Sequence, residues 1–200
     1  MPKKPLGSAP PLLVIVLGPP GSGKTTLARR IAQEFRLPLV AKDDIKESLF
    51  DSLGWHDREW SKKLGHATFG LLFYFIEAQL AAGHSLIVEC NFDNENATPR
   101  FRALQDKYNF EPFQIFCHAP EEILAQRFRS RWASGTRHPG HVDDQIDAAQ
   151  FSTILKRYQE PLNLGGTVIK IDTTDFDHID YSGLYHELAR VPNCTEVIAR

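Results

Sequence analysis

Apolar residues in this chain fall into short continuous runs that alternate with longer segments of helical periodicity. Each run holds four to six apolar or β-branched residues and ends at polar or turn-forming residues, which predicts a strand. The predicted strands are PLLVIVLG (11–18), LPLVA (37–41), SLIVECN (85–91), FQIFCHA (113–119) and TVIKID (167–172).

The intervening segments repeat apolar residues at helical spacing. The predicted helices cover residues 24–36, 44–53, 58–82, 97–108, 120–132, 143–159 and 180–190. Strands that alternate with helices predict an α/β fold with three layers, built on a five-stranded, mainly parallel sheet. Such sheets bind ligands at the carboxyl ends of their strands. The polar residues that follow each strand are therefore the first candidates for a site.

The first strand leads into a glycine-rich segment, GPPGSGKTT, which contains the pattern G-x-x-x-x-G-K-[ST] between a strand and a helix. Backbone N–H groups and the helix dipole can hold phosphates there. Lys24 can reach the β- and γ-phosphates of ATP, and the Thr25 hydroxyl can ligate Mg²⁺. The alternative is a glycine-rich turn without a ligand. The predicted ATP-binding residues are Gly18, Pro19, Pro20, Gly21, Ser22, Gly23, Lys24, Thr25 and Thr26.

The loop alone does not define what the nucleotide is used for. No Asn-Lys-x-Asp motif of a switch GTPase is present, and the third strand ends in the single acid Glu89. A small P-loop kinase is therefore the favoured class. Glu89 would hold a water on Mg²⁺ or orient the nucleophile, unless it is a solvent-facing acid. The alternatives are a P-loop ATPase or switch that acts on a protein partner, and a nucleotide-sensing module without turnover.

Two adjacent aspartates follow the second strand in VAKDDIKE. Asp44 and Glu47 have the spacing of a capping box. This assignment leaves Asp43 at the strand end, where its carboxylate could accept the proton of an attacking hydroxyl. The alternative makes Asp43 the helix cap and Asp44 a solvated acid.

Arginines near residue 130 predict a small helical lid over residues 127–142. Arg127 and Arg131 are four residues apart, so they share a helix face, and Arg137 follows in the loop ASGTRHPGH. Arginines that close over a transferring phosphoryl group neutralise its charge. The alternative is a solvated basic helix end. His138 and His141 lack the further ligands of a zinc site.

Four segments together resemble the motifs of a P-loop kinase of the nucleoside-monophosphate-kinase-like class. They are GPPGSGKTTLAR, KDDIKESL, IVECNFDNENATPRFRAL and APEEILAQRFRSR, and within the class they resemble the kinase domain of phage-type polynucleotide 5′-kinases, from about residue 12 to residue 160. The resemblance implies that Asp43 is the base, that Asn91 lies at the acceptor site, and that Arg127 and Arg131 clamp phosphate. Lys46 stands where that family has an arginine that contacts the acceptor's phosphate.

The chain departs from the phage pattern at three places: Lys46 replaces arginine, Glu89 replaces aspartate, and TRHPGH has no counterpart. Zeta-toxin and chloramphenicol-phosphotransferase relatives share a similarly placed aspartate and phosphorylate small-molecule hydroxyls. The acceptor is therefore predicted to be either a polynucleotide 5′-hydroxyl end or a small hydroxylated molecule. Trp55 and Trp60 could form a wall of its pocket, or equally belong to the core.

Composition narrows the class of protein further. The chain has 200 residues and a net charge of -2, which predicts one domain over residues 11–200, a flexible tail over residues 1–10 and no long face for nucleic acid. No apolar run reaches the length of about 20 residues that a membrane helix needs. Three scattered cysteines without a CxxC motif predict reduced thiols in a cytoplasmic protein.

Overall fold

Five parallel strands form one central sheet, in the order β2-β3-β1-β4-β5. The computed structural model describes residues 9–191, so most of the predicted tail and Cys194 lie outside the described residues. The strands are β1 (Leu12–Leu17), β2 (Leu39–Ala41), β3 (Leu86–Glu89), β4 (Glu111–His118) and β5 (Thr167–Asp172).

Residues 9–191 contain seven α-helices. They are α1 (Lys24–Phe35), α2 (Lys42–Leu53), α3 (Arg58–Ala81), α4 (Thr98–Tyr108), α5 (Glu121–Ala133), α6 (Ala148–Leu155) and α7 (Tyr181–Ala189). Short 3₁₀ turns cover Pro139–His141, Asp143–Gln145 and Phe176–His178.

Alternate residues of the central strand β1 pack into two separate cores. Leu13, Ile15 and Leu17 belong to a core with side chains of α3 and α4. Leu12, Val14 and Val16 belong to a second core, with side chains of α1 and α7. All six β1 residues are fully buried, because successive side chains of a strand point to opposite faces. The predicted three-layer α/β fold is therefore confirmed.

The start of α2 corrects a prediction from the sequence. The helix begins at Lys42 directly after β2, and its N-cap residue Ala41 has no side chain that can cap it. Asp44 is instead paired with Arg29 on α1, at 2.9 Å between Nη2 and Oδ1. The predicted capping box of Asp44 and Glu47 is therefore wrong, because no loop residue separates strand from helix. Acids in a first turn still interact favourably with the helix dipole.

The helix predicted over residues 143–159 is shorter than expected. It covers only α6, and a capping box of Asp147 and Gln150 starts it. A small third core joins α6 to α5 through Phe151, Leu155, Leu124 and Phe128. Helices α5 and α6 thus form a packed pair on either side of the loop that carries Arg137.

Within residues 9–191, no helix combines the length and the apolar character needed to cross a membrane. Cys90 and Cys117 are free and buried. Burial raises the pKa of each thiol to about 12, so both are neutral at physiological pH.

A buried glutamine in β4 holds the segment that leads to β5. Gln114 is fully buried. Its Nε2 donates to the carbonyl of Leu162 at 2.9 Å, and its Oε1 accepts from the Leu162 N–H at 2.8 Å. The side chain thereby forms hydrogen bonds with both backbone groups of Leu162, which lies outside the strands.

We expect Gln114→Met to destabilise the protein by roughly 2 kcal/mol, because it leaves the Leu162 N–H without a partner and removes one of the two hydrogen bonds to the Leu162 carbonyl, which still accepts from the Leu164 N–H. Urea unfolding would measure the loss. Gln126→Met, at an exposed position of α5, is the matched control and should change the free energy of unfolding by less than about 0.5 kcal/mol. Equal effects of the two substitutions would contradict this account.

Candidate active site

The glycine-rich loop turns tightly at the carboxyl end of β1. Gly18 has a φ of 142°, and a Cβ there would lie 2.1 Å from the carbonyl oxygen of Cys117 on β4. Gly23 has a φ of 75°, and a Cβ there would lie 2.0 Å from Cζ of Phe176. Neither position can hold a side chain without moving its neighbour. The loop is therefore fixed against β4 on one side and the segment after β5 on the other.

The lysine of the loop is folded into the loop itself. Lys24 is 6% exposed, and its Nζ donates to the carbonyl of Pro19 at 2.9 Å. Burial lowers the pKa of Lys24, while the nearby Glu89 raises it. The Ser22 hydroxyl is also buried and finds no hydrogen-bond partner within residues 9–191. A cation and an unpaired polar atom inside such a loop suit phosphate oxygens.

Glu89 lies at the end of β3, level with Val16 of the neighbouring β1. It is only 4% exposed, so the solvent-facing alternative is wrong. Its Oε2 accepts a hydrogen bond from Thr25 Oγ1 at 3.1 Å. Burial raises the pKa of Glu89, and Lys24 opposes that rise. A hydroxyl beside a carboxylate fits Mg²⁺, which prefers hard oxygen ligands.

Asp43 is paired with the loop arginine. Arg137 Nη1 donates to Asp43 Oδ2 at 2.7 Å, and Arg137 Nε donates to Asp143 Oδ2 at 3.1 Å. Burial would raise the pKa of Asp43, but Arg137 and Lys42 outweigh burial and hold it well below its usual range. Asp43 is therefore a carboxylate at physiological pH. Asp44 faces away from it, toward α1.

A buried histidine completes this ion-pair group. His141 Nδ1 lies 3.0 Å from Arg137 Nη2, and because a guanidinium only donates, Nδ1 accepts. His141 Nε2 then carries the proton and donates to Glu47 Oε1 at 2.9 Å. Burial, together with the Arg137 charge, lowers the pKa of His141 to about 2. Arg137 and a neutral His141 thus attach the lid loop to α2.

Of the arginines of α5, the two predicted site residues Arg127 and Arg131 have different surroundings. Arg127 Nη2 donates to the carbonyls of Thr173 and Thr174 at 2.8 and 3.0 Å, and its guanidinium lies 4.7 Å from the ring centre of Phe176. Its Nη1 is buried and has no partner in the described part of the chain. Arg127 therefore belongs to the side of the site where Phe176 meets the glycine-rich loop.

Arg131 lies nearer to Asp43 and to the partners Arg137 and Asp143. Burial lowers the pKa of Arg131, the Arg137 charge adds to this effect, and the carboxylates of Asp43 and Asp143 oppose it. Arg131 and Arg137 thus bring two cations to the carboxylate predicted to be the base.

A cavity of about 630 Å³ opens beside this group. Its lining includes Lys46, Asn91 and His141. Of the four residues expected at the acceptor site, Lys46 and Asn91 line the cavity, while Asp43 and Arg137 do not. Trp55 and Trp60 are not part of the lining. Trp55 is 48% exposed, which also makes the core alternative wrong for it. Sequence reasoning missed most of the remaining lining, which comes mainly from α3, the segment between β3 and α4, the start of α4, and the segments that flank α6.

A family model described as an AAA domain matches residues 13–161, about three quarters of the chain. The chain belongs to this AAA-domain family. A search of curated proteins finds no match.

Solved structures resemble this AAA-domain protein along most of its length. A candidate kinase from Chloroflexus aurantiacus is 40% identical, has a TM-score of 0.85, and the match covers 91% of this chain and 98% of that one. A gluconokinase from Sinorhizobium meliloti is 18% identical, with a TM-score of 0.55 and coverages of 96% and 99%. An APS kinase from Mycobacterium tuberculosis, solved with AMPPNP and APS, is 15% identical, with a TM-score of 0.52 and coverages of 80% and 88%. The chain thus has the P-loop fold of small kinases.

The fold brings most of the predicted site residues of this AAA-domain protein to one edge of the sheet. Lys24, Thr25 and Glu89 form one group, and Asp43, Arg131 and Arg137 form a second beside it. Sequence reasoning missed Asp143, Glu47 and the role of His141. No local signal identifies them, because they meet Arg137 only through tertiary packing.

We expect Arg137→Met to destabilise the protein by roughly 2 kcal/mol at pH 7, because it removes the cation that contacts both Asp43 and Asp143 and leaves Asp43 only Lys42, 4.0 Å away. The value is below that of a fully buried pair, since the Asp43 side chain is 35% exposed. Arg137 lowers the pKa of Asp43, so the stability that the pair gives is present above the unfolded pKa of about 4 and is lost as pH falls below it.

The difference between Arg137→Met and the parent should therefore shrink between pH 5 and pH 3, which urea unfolding at several pH values would show. Arg129→Met, at an exposed position of α5, is the control and should cost less than about 0.5 kcal/mol at every pH. A loss for Arg137→Met that does not depend on pH would argue against the ion pair as its cause.

Proposed function

We propose that this protein is an ATP- and Mg²⁺-dependent kinase that transfers the γ-phosphoryl group to a hydroxyl. One observation carries the proposal: the ionised Asp43 lies between the glycine-rich loop and a separate cavity. Asp43 contributes to the electrostatic environment of Lys24, and its neighbour Lys42 lines the cavity. A general base between a phosphate donor and an acceptor is the arrangement that phosphoryl transfer needs.

The donor side would hold the nucleotide through the loop and Lys24. Thr25 and Glu89 would hold Mg²⁺, Thr25 directly and Glu89 directly or through a water. The bound metal ion would neutralise charge on the phosphates. The buried, unpaired Nη1 of Arg127 would gain a partner when the nucleotide binds. Gly18, Pro19, Pro20, Gly21, Ser22, Gly23 and Thr26 complete this predicted donor site.

Asp43 would accept a hydrogen bond from the acceptor hydroxyl and take its proton as the new O–P bond forms and ADP leaves. The charge of Asp43 is maintained by Arg137, which contacts it directly. Arg131 and Arg137 would then also meet the charge of the transferring group. Lys46 and Asn91 would contact the acceptor, since both line the cavity.

The acceptor is a polynucleotide 5′-hydroxyl end or a small hydroxylated molecule, as the family resemblance implies. We place the activity in the cytoplasm, and the free, buried thiols of Cys90 and Cys117 support that placement.

We expect Asp43→Asn to lower the rate of transfer by about 10² to 10⁴, because the amide cannot accept the proton, while ATP affinity stays within a few-fold of the parent. Asp44→Asn is the matched control. It changes an adjacent, half-exposed carboxylate that forms only a surface ion pair with Arg29, so it should keep most of the activity. Transfer of radiolabelled γ-phosphate to oligonucleotides, nucleosides and small alcohols would measure both rates.

Two results would contradict the proposal. An active Asp43→Asn variant beside an inactive Asp44→Asn variant would move the base to the other aspartate. A steady rate of ATP hydrolysis that no hydroxyl acceptor changes would favour an ATPase or a switch that acts on a protein partner.

A further inference from the structure

The outward face of helix α3 is apolar along most of its length. The inward side of the helix packs on the core through buried residues such as Leu72, Ile76 and Leu80. The opposite side of a surface helix normally carries charged and polar residues. On α3 that side has no charged residue from position 67 to position 81, although all of its residues there are exposed: Ala67, Gly70, Leu71, Tyr74, Phe75, Ala78 and Ala81. We call these seven residues the α3 stripe.

Three large side chains lie in the middle of the α3 stripe. Tyr74 is 66% exposed, Phe75 43% and Leu71 37%. Roughly 200 Å² of the two aromatic side chains is therefore open to solvent. Together with the small residues around them, they reach the few hundred Å² at which an apolar patch marks an interaction surface. A further surface is therefore expected to pack on this side of α3.

The spacing of the α3 stripe fits a second helix. Five of its residues follow one another at alternating intervals of four and three: Ala67, Leu71, Tyr74, Ala78 and Ala81. This is the spacing of the seam between two helices that pack side by side, where large side chains of one helix enter the gaps left by the other. The alanines at both ends of the stripe leave such gaps.

Charge at the two ends of the α3 stripe is complementary. Lys63 is exposed one turn before Ala67 and forms no ion pair with any residue between 9 and 191. The last turn of α3 contains no basic residue, so the negative end of the helix dipole has no cation from its own turn. Glu77, beside the stripe, is already paired with Lys107 at 2.8 Å.

We propose that the α3 stripe is the interface of a homodimer, in which the α3 helices of two copies pack antiparallel around a two-fold axis. With the axis midway between Leu71 and Tyr74, each Leu71 packs on Tyr74 of the partner subunit and each Ala67 on Ala78 of the partner subunit. The same register brings each Lys63 to the last turn of the partner's helix, where its charge is favourable.

Self-complementarity favours a second copy of this chain as the occupant. Lys63 and the last turn of α3 lie at about equal distances from the centre of the stripe, so one two-fold operation provides both ends with a partner. Such an interface uses the same surface on both subunits and therefore closes at the dimer. A parallel pair would instead place two Lys63 side chains together, where they repel each other.

The size of the α3 stripe sets the expected strength of the dimer. Residues 67–81 span about 22 Å of helix. A contact between two such helices lies at the low end of specific interfaces, near 1,000 Å² in total, by an order-of-magnitude estimate. We therefore expect a dissociation constant in the micromolar range. The dimer does not depend on the proposed kinase function, because no residue of the stripe lines the cavity or belongs to the candidate site.

Sedimentation velocity of the full chain, from about 1 µM to about 300 µM, tests the dimer. We expect the sedimentation coefficient to rise from the monomer value to the dimer value over this range. Tyr74→Lys should remain monomeric throughout, because it places a charge at the centre of the apolar contact, and its circular dichroism should match that of the parent, since Tyr74 is exposed. Leu53→Lys, at a 60% exposed position at the end of α2, is the matched control and should dimerise like the parent.

The direction of the helices is tested by disulfide cross-linking in a Cys194→Ser background. Ala67→Cys and Ala78→Cys proteins should cross-link with each other under mild oxidation when mixed, and each should fail to cross-link alone, because like positions lie far apart in an antiparallel pair. Lys63→Met should weaken the dimer about three- to thirtyfold, since both copies lose a favourable charge. In a parallel pair the same substitution would strengthen the dimer.

A chain that stays monomeric up to about 300 µM overturns the proposal, and so does a dimer that Tyr74→Lys weakens no more than Leu53→Lys does. Cross-links that form within the Ala67→Cys or the Ala78→Cys sample alone, or a Lys63→Met dimer tighter than the parent, would overturn the antiparallel arrangement.

Discussion

The parallel register of the neighbouring strands β2, β3 and β1 is the constraint on which the site depends. Glu89 lies level with Val16 of β1 on one side and with Ala41 of β2 on the other. The glycine-rich loop starts after β1 and α2 starts after β2, so this register places the buried acid between Thr25 and Asp43. A shift of one residue would turn Glu89 to the opposite face of the sheet and dismantle the arrangement.

Arg137 then joins the loop after α5 to the start of α2 by charge. The guanidinium contacts Asp43 and Asp143 and donates to a neutral His141. Burial favours the neutral form of Asp43, while the charges of Arg137 and Lys42 oppose that effect and hold its pKa low. One side chain, Arg137, therefore both holds the loop after α5 against α2 and favours the ionised form of Asp43.

The features that could be predicted from the sequence are those whose signal lies in residues close together along the chain. Apolar runs located the strands, and the phosphate loop was recognisable because its glycines, Lys24 and Thr25 are contiguous. The start of α2 was predicted wrongly because capping chemistry presumes a loop, and β2 joins the helix without one. The basic lining of the cavity was missed because its side chains come from distant segments and the total charge hides them. Arg58, Lys62 and His66, at intervals of four residues on α3, were a visible signal, but only tertiary packing shows that they line the cavity with Lys46.

Negative and positive electrostatic potentials lie side by side where the acceptor would bind. Asp43 is an anion, and the cavity next to it is lined by six lysines and arginines and a single aspartate. An acceptor with a negative charge away from its hydroxyl would have one favourable orientation there, since Asp43 would repel the charge and accept a hydrogen bond from the hydroxyl. Charge alone would thus present the hydroxyl to the base. An uncharged acceptor would need shape complementarity for the same selection, and a cavity of about 630 Å³ offers a small molecule many orientations.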